Sequence, residues 1–170
     1  MEKSASQPWF DSTVDVENLS DFIEKMAQGA LDYLHGPSES CVAIVSAIHK
    51  SEKGFNAYGS RNQMLSVRLG LYRSKKLPAV GDYVRLTISV DDSEVISAEP
   101  CNAVPLDDVA ADEGKISVTP KGFGFVNGTF IPPYLISEGI DENLVKITSI
   151  LDFDKTKNRH SWKAITLALV

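Results

Sequence analysis

The sequence predicts a mainly β chain: two small five-stranded barrels in tandem, led by an amphipathic helix. Three observations carry that expectation. Short runs that are apolar or alternate in polarity recur between Cys41 and Leu169, with turn residues between them, as half-buried strands require. The runs fall into two sets, each with a longer gap before its fourth member. The two sets also echo one another in order: Gly54-Phe55 answers Gly122-Phe123, and residues 80–86 (Val-Gly-Asp-Tyr-Val-Arg-Leu) answer residues 140–146 (Ile-Asp-Glu-Asn-Leu-Val-Lys). Ser97-Ala98 likewise answers Lys163-Ala164. Five short strands with a long third connection fit a Greek-key barrel of the oligonucleotide-binding (OB) type, and the internal echo favours two such barrels over one sandwich.

In order along the chain, residues 1–14 are rich in Ser, show no periodicity and read as a flexible arm. Residues 15–36 read as the helix, because Val16, Leu19, Phe22, Ile23, Met26, Ala30, Leu31 and Leu34 repeat at helical spacing. Asp15 is a fitting N-cap and Gly36-Pro37 a stop signal. Its apolar face either packs across an open end of the first barrel, the reading favoured here, or docks on a partner. The first OB-like barrel spans residues 40–100, with strands expected at 41–48, 54–58, 64–69, 82–90 and 94–99. Residues 101–113, with four acids and no base, read as an acidic linker. The second barrel spans 114–170, with strands at 114–119, 121–126, 129–131, 144–151 and 161–169.

Composition narrows the function. The apolar fraction of 43% and the charged fraction of 24% are those of an ordinary globular protein. Two cysteines, Cys41 and Cys101, are too few for a disulfide framework, and no charged-then-apolar leader opens the chain. No apolar run approaches the roughly 18 residues of a membrane span. A soluble, intracellular protein is expected. The net charge of −6 is uneven: residues 1–40 carry eight acids and two bases, whereas 41–100 and 114–170 are each slightly basic. Such modules suit modest phosphate contact rather than tight nonspecific binding.

The stretch richest in chemistry is Lys121-Gly-Phe-Gly-Phe-Val126, followed by Asn-Gly and Thr-Phe-Ile-Pro-Pro-Tyr. Alternate side chains of a strand share a face, so Phe123 and Phe125 stand side by side. The glycines leave room for a flat partner, and Lys121 adds a cation at the edge. Paired rings beside a cation form a platform for unpaired bases. A hairpin whose Phe residues fill a core is the competing reading.

Residues 121–126 resemble the first ribonucleoprotein motif of cold-shock domains. Thr129-Phe130-Ile131-Pro132-Pro133 is similar to the partner motif in cold-shock-like domains of exosome-type and RNase-II-type exoribonucleases. The resemblance implies stacking roles for Phe123, Phe125 and Phe130 and a phosphate contact for Lys121. The cold-shock pattern has a histidine and another aromatic after its second motif. Here Pro132 and Pro133 intervene before Tyr134, which joins the candidates. The first half keeps only Phe55 and Tyr58, which alternation places on opposite faces. Over residues 41–170 the chain also resembles modules ahead of the helicase core in Armitage-type RNA helicases of the piRNA pathway, and tandem modules of related testis proteins. The residues carrying that likeness are Gly81-Asp82-Tyr83-Val84 and Ser161-Trp162-Lys163-Ala164-Ile165. It implies a germline ribonucleoprotein setting, in cytoplasmic granules or, alternatively, the nucleus.

Catalytic motifs are missing from the sequence. It contains no phosphate-binding Gly-x-x-x-x-Gly-Lys loop, so helicase activity cannot reside here, and no His-Glu-x-x-His or Cys-x-x-Cys metal pattern. No cofactor or metal is expected, and His35, His49 and His160 read as isolated surface or capping residues. Lys155, Lys157 and Arg159 precede the last strand, where the final loop of an OB barrel flanks the groove. They join the candidate phosphate contacts, with Arg73, Lys75 and Lys76 as secondary ones. Trp162 shares a face with Ala164 and reads as core. Trp9, Phe22 and Met26 are candidates for partner docking.

Two functions from different classes emerge. One is a non-catalytic single-strand-binding subunit, RNA favoured, or its single-stranded-DNA counterpart in a capping complex. The other is a protein-interaction scaffold, in which the acidic helix or arm recruits a partner and the Phe residues fill a protein interface. The favoured reading combines them: a small subunit of a ribonucleoprotein complex that binds single strands weakly alone and well beside a protein partner.

Overall fold

The computed structural model describes residues 36–170 except 52, 60–62 and 156, and, before them, residues 23, 25–27, 29 and 30. Eleven strands follow in order: β1 (Ser38–Ile48), β2 (Gly54–Gly59), β3 (Gln63–Arg68), β4 (Tyr83–Ser89), β5 (Val95–Pro100), β6 (Val109–Lys115), β7 (Ser117–Val118), β8 (Gly124–Val126), β9 (Thr129–Ile131), β10 (Leu144–Asp154) and β11 (Arg159–Leu169). They make two curled sheets, ordered β3-β2-β1-β4-β5 and β6-β10-β11-β9-β8-β7.

The two orders are one topology. In the second sheet β6 and β7 are halves of a single bent strand, separated only by the buried Ile116. One half pairs with β10 and the other with β8, so the two ends of that sheet meet. In the first sheet β1 does the same double duty, pairing with β2 and β4. Each remaining seam carries one parallel bridge: Phe130 to Lys163 between β9 and β11, and Tyr72, just beyond β3, to Ala98 of β5.

Alternation builds the cores. In β3, Leu65 and Val67 are buried between exposed neighbours, and they join Phe55, Val84 and Leu86 inside the first sheet. Ile116, Val126, Ile131, Val145 and Ala164 fill the second. A third cluster lies between the units: Ile44, Tyr58, Ile150 and Ile165, with Val80, Tyr83 and Val109 against it. A bulge makes this possible. The β10–β11 register shifts between Thr148 and Ser149, so the consecutive residues Ala164 and Ile165 both become buried, one in the second core and one between the units. Tyr58 is 2% exposed, and its hydroxyl donates to the Leu151 carbonyl of the other sheet.

The sequence reading needs two corrections. The acidic stretch 101–113 is not linker throughout: from Val109 it is strand β6, paired with β10 along its length. The connection is residues 101–108, and the second unit begins before residue 114. Alternation along Val109–Lys115 is masked by two acids on opposite faces: Asp112, half-buried and held by the Asn127 amide, and Glu113, exposed and reaching Lys146 at 3.4 Å. Second, the described part of the segment expected as a helix is helical but leaves its apolar residues open: Ile23 and Met26 are 58% and 62% exposed. The rest of the helix expected at 15–36, the arm, Trp9 and Phe22 lie outside the described residues.

Candidate nucleic-acid interface

The aromatic stretch is held by two turns that its own sequence dictates. Pro120 occupies the second position of a turn in which the Gly122 N–H donates to the Thr119 carbonyl at 2.9 Å. Gly122 has a φ of +82°, which a side chain would strain. Thr119 then clamps the entering strand, its N–H and its hydroxyl both donating to the Phe123 carbonyl at 2.8 Å. Asn127-Gly128, with φ values of 48° and 87°, forms the two-residue hairpin loop that this dipeptide favours. The Asn127 amide donates to both oxygens of Asp112 and to the Glu113 carbonyl, which ties the hairpin to β6.

Alternation then sorts the side chains. Gly124 and Val126 are buried and Phe125 is 40% exposed; Thr129 and Ile131 are buried and Phe130 is half-buried. Phe123, Phe125 and Phe130 form a closed triangle. Ring centroids lie 5.8 Å apart for Phe123–Phe125, 5.7 Å for Phe123–Phe130 and 6.1 Å for Phe125–Phe130. The edge-on and tilted contacts suit the ring quadrupoles and hold the three faces in place. Gly124 has a different purpose from the one its sequence suggested. A Cβ there would stand 3.0 Å from the Ser117 carbonyl oxygen and 3.2 Å from Ile116, so its small size serves interior packing, not an approaching base.

The triangle borders a groove of about 430 Å³ whose far wall is the β10–β11 hairpin. Lys155, Lys157 and Arg159 line it at the hairpin end, and Lys163 of β11 lines it beside Phe130. Two carboxylates partly offset them. Lys157 pairs with Asp154 at 3.3 Å and Lys163 with Asp152 at 3.7 Å. The balance of these six side chains is positive.

The hairpin runs farther than expected, to Asp154 and back from Arg159, and this extension contains the aromatics that sequence reasoning missed. Phe153, 44% exposed, and His160 are cross-strand partners with ring centroids 5.2 Å apart. Counting the alternation two residues beyond Leu151 would have found Phe153. Trp162 is half-buried and lines the groove rather than the core. Its facing strand, β10, runs on past the interior there, so position on a strand did not imply burial.

Other candidates stand apart. Lys121 is exposed on the turn before Phe123. Tyr134, in a 3-10 turn (Pro133–Leu135), is 70% exposed and shares no ring contact with the triangle. Arg73, Lys75 and Lys76 are exposed in the loop before β4, away from this groove. The first unit has no equivalent platform: Phe55 is buried against Tyr72 and Tyr58 is buried between the units. Among the described residues no cluster of His, Cys, Asp or Glu could hold a metal, and no helix is long and apolar enough to cross a membrane. Burial pushes the Cys101 thiol up, away from nucleophilic character.

Residues 111–167 match the family model described as S1/CSD-like domain 2 of the TOTE conflict systems. That interval is the second unit, triangle and groove included, and it agrees with the cold-shock-like reading of residues 121–133. Among solved structures, "drosophila Unr CSD456" is similar with 11% identity and a TM-score of 0.36, covering 82% of this chain and 66% of that one. This chain thus spans just under two thirds of that structure's length. No curated protein matches the chain.

Proposed function

We propose that the chain is a non-catalytic single-stranded nucleic-acid-binding subunit, with RNA as the preferred ligand. The observation that carries this reading is the triangle of Phe123, Phe125 and Phe130, partly exposed and bordering a groove of net positive charge. Bases stack on the rings, and Lys155, Arg159 and Lys121 hold phosphates. Stacking contributes about 1–3 kcal/mol per base, so two or three bases with a few exposed ion pairs give a Kd of roughly micromolar order. RNA comes ahead of DNA because single-stranded RNA is the usual ligand of cold-shock-like surfaces. A capping complex on single-stranded DNA is the competing setting. Assignment to a germline small-RNA pathway and its granules rests on the sequence resemblance of residues 41–170.

The test is a fluorescence-anisotropy titration with labelled single strands of RNA and DNA at low and physiological salt. Saturable binding that weakens with salt supports the reading, and the RNA-to-DNA affinity ratio sets the class. No binding at high micromolar protein in low salt overturns it.

A further inference from the structure

Strand register carries the stacking face into a charged pair. Phe125 of β8 stands opposite Phe130 of β9, and Phe130 opposite Lys163 of β11. Partners in register share a face of the sheet, about 4.8 Å apart from strand to strand, so these three side chains form one row. On β10, the next strand, the Asp152 carboxylate reaches the Lys163 ammonium at 3.7 Å. Both side chains line the groove that Phe125 and Phe130 border, and they are 39% and 38% exposed. The other acid of the groove has a structural duty. Asp154 holds the hairpin turn, one carboxylate oxygen accepting the Lys157 N–H at 3.2 Å and the other pairing with the Lys157 ammonium at 3.3 Å. Asp152 differs. Its ion pair at 3.7 Å is too long for a hydrogen bond, and an exposed pair of this kind adds little stability. A carboxylate beside a stacking face also repels phosphate, which works against a nucleic-acid ligand unless that carboxylate meets donors on a base.

We infer that Asp152 and Lys163 read the edge of the base stacked on Phe130, and that they select guanine. The inference rests on the single-strand reading of this groove. A base lying on Phe130 overhangs the next strand, where its Watson–Crick edge meets the pair, the edge by which unpaired bases are read. Of the four bases only guanine presents two adjacent donors, N2–H and N1–H, followed by an acceptor, O6. The donors match the two oxygens of a carboxylate and O6 matches an ammonium, giving three charge-assisted hydrogen bonds. Adenine and cytosine set a ring-nitrogen acceptor beside their amino group, and uracil flanks its one N–H with carbonyls. Each of these turns a lone pair towards the carboxylate. Asp152 therefore rejects the wrong base as well as holding the right one.

The experiment titrates the full chain, by fluorescence anisotropy, with labelled uridine RNA strands that carry one central guanosine, adenosine, cytidine or inosine, beside the all-uridine strand. The guanosine strand should bind roughly tenfold or more tighter than the adenosine, cytidine and uridine strands. Inosine, which lacks the N2 amino group, should fall between, and it tests the contact without altering the protein. Asp152→Asn replaces one carboxylate oxygen by a donor, and Lys163→Met removes the ammonium. Each should cut the guanosine-to-adenosine affinity ratio by roughly fivefold or more. A pair that only braces the hairpin leaves that ratio unchanged in both variants, whatever it does to the melting temperature. Binding without regard to base, preference for another base, or a guanine preference undiminished in Asp152→Asn overturns the inference and leaves the single-strand reading standing. Failure of every strand to bind overturns both.

Discussion

Replacing Phe125 separates a stacking surface from a hairpin that is merely apolar. Phe125 lies on a three-residue strand between buried Gly124 and Val126, and its ring touches two others with much of its own face open. Phe125→Ala removes one stacking face, so affinity should fall by about 1–3 kcal/mol, or roughly fivefold to 150-fold in Kd. The same change removes two ring contacts worth about 0.5–1.5 kcal/mol each, but leaves no closed cavity because the site is open to water. Stability should therefore fall by only about 1–2 kcal/mol, leaving the protein folded during titration. Phe125→Leu keeps apolar bulk and loses the π face; Phe125→Trp enlarges that face. Anisotropy titrations of the three variants should rank Trp at or above wild type, then Leu, then Ala. If Leu binds as tightly as the parent, the ring is not stacking on a base. If Ala does too, the triangle is not the platform.

Three further outcomes follow from the same geometry. Burial, reinforced by the carboxylates of Asp108 and Asp152, raises the Tyr58 hydroxyl from its ordinary value of 10.0 to about 12. Its contribution to stability is thus complete below pH 10 and lost as pH climbs through 12, at up to about 1.4 kcal/mol per pH unit; Tyr58→Phe should cost about 1–3 kcal/mol at neutral pH and abolish that alkaline slope, as urea titrations at pH 7 to 11 will show. Lys155→Ala and Arg159→Ala should each flatten the dependence of log K on log salt by about 0.7 for single strands, and Lys157→Ala, already paired with Asp154, by less. Gly124→Ala should lower stability by about 1–3 kcal/mol in thermal melts, because its Cβ meets backbone and Ile116 rather than a flexible side chain.

Much of this molecule could be read from the sequence because alternation is local. The five runs between Cys41 and Glu99 became β1 to β5 within a few residues, and the pairing of Phe123 with Phe125 follows from strand period, whereas Phe130 enters only through the cold-shock resemblance. What the sequence hid was longer in range. Residues 109–115 read as linker because Asp112 and Glu113 put acids on both faces and hide the alternation, and only pairing with β10 makes them a strand. Trp162 was assigned to a core through its shared face with Ala164, yet the end of a long hairpin has two faces and no interior. Tyr58 showed only that it opposes Phe55. That this second face is covered by Ile150 and Ile165, about a hundred residues later in the chain, is tertiary information that no local pattern contains.

Two units of one topology have come to differ in what they expose. The second leaves three rings at its surface beside basic side chains. The first buries its aromatics, Phe55 in its core and Tyr58 against its neighbour. Burying Tyr58 is the step that commits the pair, since a ring used to join the units cannot also receive a base. Fully buried side chains of this size contribute about 1.5–3 kcal/mol each, so Tyr58, Ile44, Ile150 and Ile165 together hold the units in one orientation against thermal motion.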